Sequence, residues 1–362
     1  MVYTPTESME TLLDGMPEEY KKSYKRYQRA LNILTKEPEP QVGQTPKEVI
    51  WTKNKAKLYR YQPNKTKTKS IPLLMIYALI NKPYILDLTP GSSLVEYLTD
   101  KGFDVYLLDW GTPGYEDRHM KFDDYVLDYI PRAIKKVLQK SGQDEISLLG
   151  YCIGGTLTSI TAALNPHLPI RNLVFMTSPF DFSDAGLFTN WLDERYFNLD
   201  LMVDTLGNVP AETIDFGNKL LKPITNYLGP IVSLADRADD DEFVKNWSLL
   251  QKWVADGVPF PGEAYRQWIS EFYQQNKLIN DELYIRGQQV KLSNIKANVL
   301  NIAADRDHIA IPNQTEKLMN KISSKDKTFK LLSAGHVSVT VGKKAARTTY
   351  PLIEEWLSVR SH

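Results

Sequence analysis

Two hydrophobic rhythms alternate along the middle of the chain. Four short apolar runs, Leu73 to Leu79, Phe103 to Trp110, Glu145 to Gly150 and Asn172 to Pro179, have the length and continuity of strands buried on both faces. Segments of helical period lie between them, at Ser92 to Gly102, Asp123 to Gly142 and Gly154 to Pro166, and two more strands, Asn298 to Ala304 and Phe329 to Gly335, follow much later. Strand and helix in alternation predict an α/β protein with a mostly parallel sheet covered by helices on both faces. Ahead of this core, Glu48 to Pro63 alternates apolar and polar residues like an antiparallel hairpin, and Glu18 to Lys36 spaces Tyr20, Tyr24, Tyr27, Leu31 and Leu34 like one face of a helix. The breaker-rich EPEPQVGQTP separates that helix from the rest.

The interval from Phe180 to Lys291 loses the rhythm. It scatters Trp191, Trp247, Trp253 and Trp268 among prolines and an acidic run, DRADDDE, and reads as a helical cap inserted over one end of the sheet. The expected organisation is an N-terminal helical segment at 1–44, a core at 45–180 and 291–362, and a cap at 181–290. No internal repeat interrupts it, and NKTKTKS reads as a solvated loop.

Charge and cysteine usage narrow the function classes. Lys+Arg and Asp+Glu balance at 44 each, so no net field favours nucleic acid or anionic lipid. A single cysteine allows no internal disulfide, and the N-terminus lacks a secretory pattern, so a reducing cytoplasm is the expected location. The longest uncharged apolar run, IPLLMIYALI, is well short of a transmembrane span.

That lone Cys152 lies in Gly150-Tyr151-Cys152-Ile153-Gly154, between a predicted strand and a predicted helix. The pattern is a nucleophile elbow, G-x-S-x-G, with cysteine in place of serine. Such a turn needs flanking residues with almost no side chain, which Gly150, Gly154 and Gly155 supply. It aims the Ile153 N–H at a developing oxyanion, and the helix N-terminus favours a thiolate. A base and an acid should follow at the carboxyl ends of later strands. His336, just after FKLLSAG, is the expected general base. His119, His167 and His362 lie in polar or terminal stretches, and His308 is the alternative. The loop after NVLNIAA offers Asp305 and Asp307, and Asp307, deeper in the loop, is the preferred acid. The second oxyanion donor is expected from the backbone of Ile80 or Asn81, after the first core strand, and Tyr151 and His308 are the expected pocket residues. No metal site and no cofactor are expected.

In order and type these residues define an α/β-hydrolase, and GYCIGG, NKPYILDL, LLDWG, Asp307-His308-Ile309-Ala310 and Gly335-His336 resemble the catalytic subunits (PhaC) of polyhydroxyalkanoate synthases from about residue 45 to the end. The length is similar to that of the short two-subunit types, closest to class IV of bacilli with class III as the other choice. Ile311 before Pro312 departs from the aliphatic-proline pattern that usually follows the family's Asp-His pair. The resemblance implies (R)-3-hydroxyacyl-coenzyme A as substrate, chiefly 3-hydroxybutyryl, a polyester growing on Cys152, a place at the granule surface, and Asp307 both orienting His336 and helping to activate the 3-hydroxyl group. It also implies a second subunit, PhaR in class IV or PhaE in class III, for which the Glu18 to Lys36 helix or the cap is the expected contact, and it leaves a homodimer open. The competing readings are a thiol esterase or non-polymerising acyltransferase, and a granule scaffold without activity.

Overall fold

A computed structural model describes residues 15–36, 39–61, 63 and 69–361. Expectations that fall on residues 1–14, on 64–68 of the lysine-rich loop and on His362 lie outside the described residues. Eight strands form one sheet: β1 Lys47–Lys53, β2 Ala56–Tyr61, β3 Leu73–Ile76, β4 Val105–Asp109, β5 Ile146–Tyr151, β6 Ile170–Met176, β7 Asn298–Ala304 and β8 Lys327–Leu332. Their spatial order is β1-β2-β4-β3-β5-β6-β7-β8. β1 and β2 form the predicted antiparallel hairpin, β2 joins β4 antiparallel, and every later pairing is parallel. The α/β-hydrolase expectation is met.

β5 runs through the centre, and all six of its residues are buried. Helices cover both faces of such a strand, so its sequence reads as a continuous apolar run. Leu148 pairs in register with Leu74 of β3 and Leu173 of β6.

Helix interiors follow local chemistry more closely than the periodicity suggested. The segment expected at 123–142 is a short helix Phe122–Asp124, a π-helical turn Tyr125–Tyr129 and a helix Ile130–Ser141 closed by Gly142 at φ 69°. Pro131 has no N–H to give to the preceding turn, which accounts for the widened turn before it. Between β7 and β8 the chain likewise forms two short helices, Pro312–Glu316 and Leu318–Lys321.

The chain divides into two compact units, and the division cuts across the expected cap. One unit is 1–41 with 222–255; the other is 42–221 with 256–362. In the first, the helix Glu18–Lys36 buries Ala30 and Ile33 with Leu234, Ala238 and Val244, and Phe243 and Trp247 pack on that cluster. An Arg29–Asp241 ion pair and a Lys252–Glu39 pair at 3.0 Å lie beside it. The interval 181–290 is therefore not one compact piece: its middle supplies the core that the N-terminal helix lacks. The second unit keeps the rest of the interval, including the helices Leu199–Leu206, Ala211–Leu220 and Gly262–Gln267 and the π-helical turn Trp268–Gln274. Among the described residues no helix is long and apolar enough to cross a membrane.

Leu148→Ala opens a cavity in the strand that carries the elbow. It is expected to cost about 2–5 kcal/mol, read as a lowered urea midpoint; an unchanged midpoint would mean that this strand does not anchor the core.

Candidate active site

Cys152 is the hinge between β5 and the helix Ile153–Leu164. Its backbone stands at φ 54°, ψ −129°, outside the regions that L-residues ordinarily occupy. Such a residue costs on the order of 1–3 kcal/mol and persists only where its surroundings impose it. The surroundings here are tight. A Cβ on Gly150 would lie 2.7 Å from the Gly155 nitrogen, one on Gly154 would lie 2.6 Å from the Tyr77 carbonyl oxygen, and one on Gly155 would strike Ser178. The Cys152 N–H donates to the Met176 carbonyl at 3.0 Å, and the Cys152 carbonyl accepts from Gly155 N–H at 2.9 Å.

The other two chemical groups arrive from neighbouring strands. Asp307 follows β7 and His336 follows β8, so all three stand at the carboxyl edge of the sheet. Asp307 Oδ2 lies 2.6 Å from His336 Nδ1, and Asp307 Oδ1 accepts the N–H groups of Ile309 and Ala310 at 2.8 and 2.9 Å. With Nδ1 committed to the carboxylate, Nε2 is the ring nitrogen left for the thiol. Burial alone would disfavour the imidazolium. The charges of Asp307 and Cys152, each also hydrogen-bonded to the ring, outweigh burial and hold His336 well above the ordinary histidine range. Asp305 is the losing carboxylate: its Oδ1 accepts from Ala334 N–H at 3.1 Å and pairs with Arg306 at 3.5 Å. His119 and His167 are exposed.

Cys152 opens onto a cavity of about 430 Å³. Its walls are mostly apolar and include Ile80, Ile153, Trp191, Phe216, Trp268 and Ile309. Two of the four tryptophans noted in the sequence thus line this cavity, while Trp247 and Trp253 belong to the other compact unit.

Three expected site residues are placed differently. Tyr151 is not a pocket residue: it is 1% exposed, stacks on Tyr77 with ring centroids 5.4 Å apart, and donates its hydroxyl hydrogen to the His336 carbonyl at 2.9 Å. The alternation of side chains along β5 points it into the fold when Cys152 points out. His308 is half-buried and is not among the described residues lining the cavity, whereas Ile309 and Ala310 are. Asn81 stands at φ 62° beside a smaller space shared with Trp110 and Pro113, so Ile80 is the member of that pair that reaches the Cys152 cavity. Tyr265 and Tyr273, which sequence reasoning missed, also line the cavity. Their only signal was aromatic content within the cap.

The strand order, the elbow and the covering helices define the class: an α/β-hydrolase-fold protein with cysteine at the nucleophile position. A family model described as the alpha/beta hydrolase fold matches residues 71–342, and the crystal structure of a monoacylglycerol lipase from Paleococcus ferrophilus has the same fold, with a TM-score of 0.54 at 18% identity over 84% of this chain and 99% of that one. A second model, for the poly-beta-hydroxybutyrate polymerase (PhaC) N-terminus, matches residues 11–98. The poly(3-hydroxyalkanoate) polymerase subunit PhaC of Haloferax mediterranei is 39% identical over 325 residues, which cover 89% of this chain and 66% of that one. The subunit of the same name from Allochromatium vinosum is 35% identical over 356 residues, 96% of this chain and 99% of that one. The chain belongs to the PhaC family of poly(3-hydroxyalkanoate) polymerases and is an acyltransferase. These relatives do not single out the class IV enzymes.

Removing the Asp307 charge is expected to lower the pH at which His336 releases its proton, read by NMR of the ring in Asp307→Asn. The folded-state value is raised, so the bound proton stabilises the fold fully below the ordinary histidine value of about 6.5 and that contribution fades as pH rises through the raised value. An unmoved titration would show that Asp307 is not its source. Tyr151→Phe is expected to cost about 1 kcal/mol of stability and to lower kcat more than it changes KM, because it releases the carbonyl of the residue whose ring must be held.

Proposed function

We propose that Cys152 carries the growing chain as a thioester and that the substrate is (R)-3-hydroxyacyl-coenzyme A of short chain, chiefly 3-hydroxybutyryl. The observation that carries this reading is the line from Asp307 to His336 to an elbow cysteine that opens on an apolar cavity. His336 holds the proton of Cys152, and the thiolate sulfur attacks the thioester carbonyl carbon. The backbone N–H groups of Ile153 and Ile80 receive the oxyanion. As the carbon–sulfur bond to coenzyme A breaks, His336 returns the proton to the departing thiolate, so free coenzyme A leaves and a Cys152 thioester remains.

Chain growth needs that product to stay activated. One thioester replaces another with little change in free energy, and the 3-hydroxyl oxygen of the next unit then attacks the acyl carbon, its proton passing to His336 with help from Asp307 as the bond to the Cys152 sulfur breaks. The freed thiolate takes back the lengthened chain from its coenzyme A thioester, and coenzyme A leaves with the proton from His336. A serine oxyester would lie lower and lose that driving force, which accounts for cysteine at the elbow. Hydrolysis would end the chain, and apolar walls around Cys152 favour exclusion of water. The relatives are named as subunits, which supports a second subunit for this chain as well, and near-complete coverage of the Allochromatium relative supports a short two-subunit type. We place the enzyme in the cytoplasm at the surface of its polyester granule.

Purified enzyme, with and without a second synthase subunit, should release coenzyme A from (R)-3-hydroxybutyryl-coenzyme A and form insoluble polyester. Cys152→Ala should abolish both, and Cys152→Ser should lose polyester formation by at least about 100-fold. Release matched only by free 3-hydroxybutyrate would contradict polymerisation. Undiminished release from Cys152→Ala would contradict the nucleophile.

A further inference from the structure

The mechanism above assigns a donor to the acyl carbonyl but none to the other oxygen of the acyl group, the one on carbon 3. Besides the thiol and the indole N–H groups of Trp191 and Trp268, four polar side chains line the Cys152 cavity among the described residues: Thr213, Asn218, Tyr265 and Tyr273. They are not equivalent. Thr213 and Asn218 belong to the helix Ala211–Leu220. Tyr265 is influenced by burial alone, which pushes its phenol up to about 12. Tyr273 is set apart because it feels the charges of both Cys152 and Asp307 in addition to burial.

Its position is fixed from behind. Tyr273 sits in the π-helical turn Trp268–Gln274, and its ring packs edge-on against Phe182, Phe188 and Trp268 with centroids 4.9, 5.7 and 5.7 Å away. π-helical turns recur where a helix must present a side chain to a functional site. A phenylalanine would fill this aromatic cluster equally well, so packing does not explain the hydroxyl. No described residue takes that hydroxyl as a hydrogen-bond partner.

We propose that the Tyr273 hydroxyl is a catalytic-site donor to the oxygen on carbon 3 of the acyl group held at Cys152, and so selects 3-oxygenated acyl groups. This rests on the reading of Cys152 as the acylated residue. Carbon 3 lies two bonds beyond the thioester carbon, so its oxygen enters the cavity that Cys152 and Tyr273 line together. The chemistry matches in both stages of growth. A free 3-hydroxyl accepts a hydrogen bond while offering its own proton toward His336 and Asp307. Once esterified, the same oxygen has no proton and can only accept, so a group that donates serves both. Burial, with the negative charges of Cys152 and Asp307, raises the Tyr273 phenol above its ordinary value, so it remains a donor throughout the neutral range.

The test compares acylation of Cys152 by (R)-3-hydroxybutyryl-coenzyme A and by butyryl-coenzyme A, which lacks only the 3-oxygen, followed as the first equivalent of coenzyme A released. Wild type is expected to acylate faster with the hydroxylated substrate. Tyr273→Phe keeps the ring and is expected to slow that substrate at least about tenfold while leaving butyryl transfer unchanged, with circular dichroism and thermal midpoint preserved. Equal slowing of both substrates, or of neither, would overturn the assignment, since a packing or oxyanion role does not read the 3-oxygen. Absence of any wild-type release that Cys152→Ala removes would instead overturn the acyl-thioester reading and the Tyr273 assignment together.

Discussion

A cysteine held at φ 54° is the constraint on which the site depends. That backbone angle turns the chain from β5 into a helix within one residue, and it leaves the thiol at the strand's end with the first helical amides beside it. The turn can close only because three glycines let strand, helix and the end of β3 approach where a Cβ would collide. A hydrogen bond to the Met176 carbonyl of β6 and one from the Gly155 N–H then hold Cys152 in place. The strain is local, while its support spans β3, β5 and β6, which is why the elbow belongs in the middle of the sheet.

Electrostatics complete what the backbone begins. Asp307 is fixed by two backbone N–H groups of its own loop, so its remaining oxygen is aimed at one ring nitrogen of His336. Tyr151 holds the carbonyl of the same histidine from below. The ring is therefore positioned from two sides, and its other nitrogen is left to the thiol. Around this polar line the cavity walls are mostly apolar, which strengthens each charge interaction.

Much of this was legible in the sequence. The apolar runs located six core strands, and Cys152, Asp307 and His336 could be read from loop position because carboxyl ends of parallel strands gather in space. What stayed hidden depends on direction rather than position. Strand alternation sends Tyr151 inward beside an outward Cys152, and a single turn decides whether Ile80 or Asn81 meets the cavity. Helical periodicity gave no warning that residues 222–255 pack with the N-terminal helix, since an apolar helix face does not name its partner. Tyr273 escaped notice for a related reason: one phenol among many cap aromatics carries no spacing signal.

The central claim is that Cys152 itself becomes acylated. Intact-protein mass spectrometry, after brief mixing with (R)-3-hydroxybutyryl-coenzyme A and acid quench, should find protein heavier by whole 3-hydroxybutyryl units, with digestion placing them on the peptide that contains Cys152. Unmodified protein while coenzyme A is being released, or an acyl group on any other residue, would contradict the account.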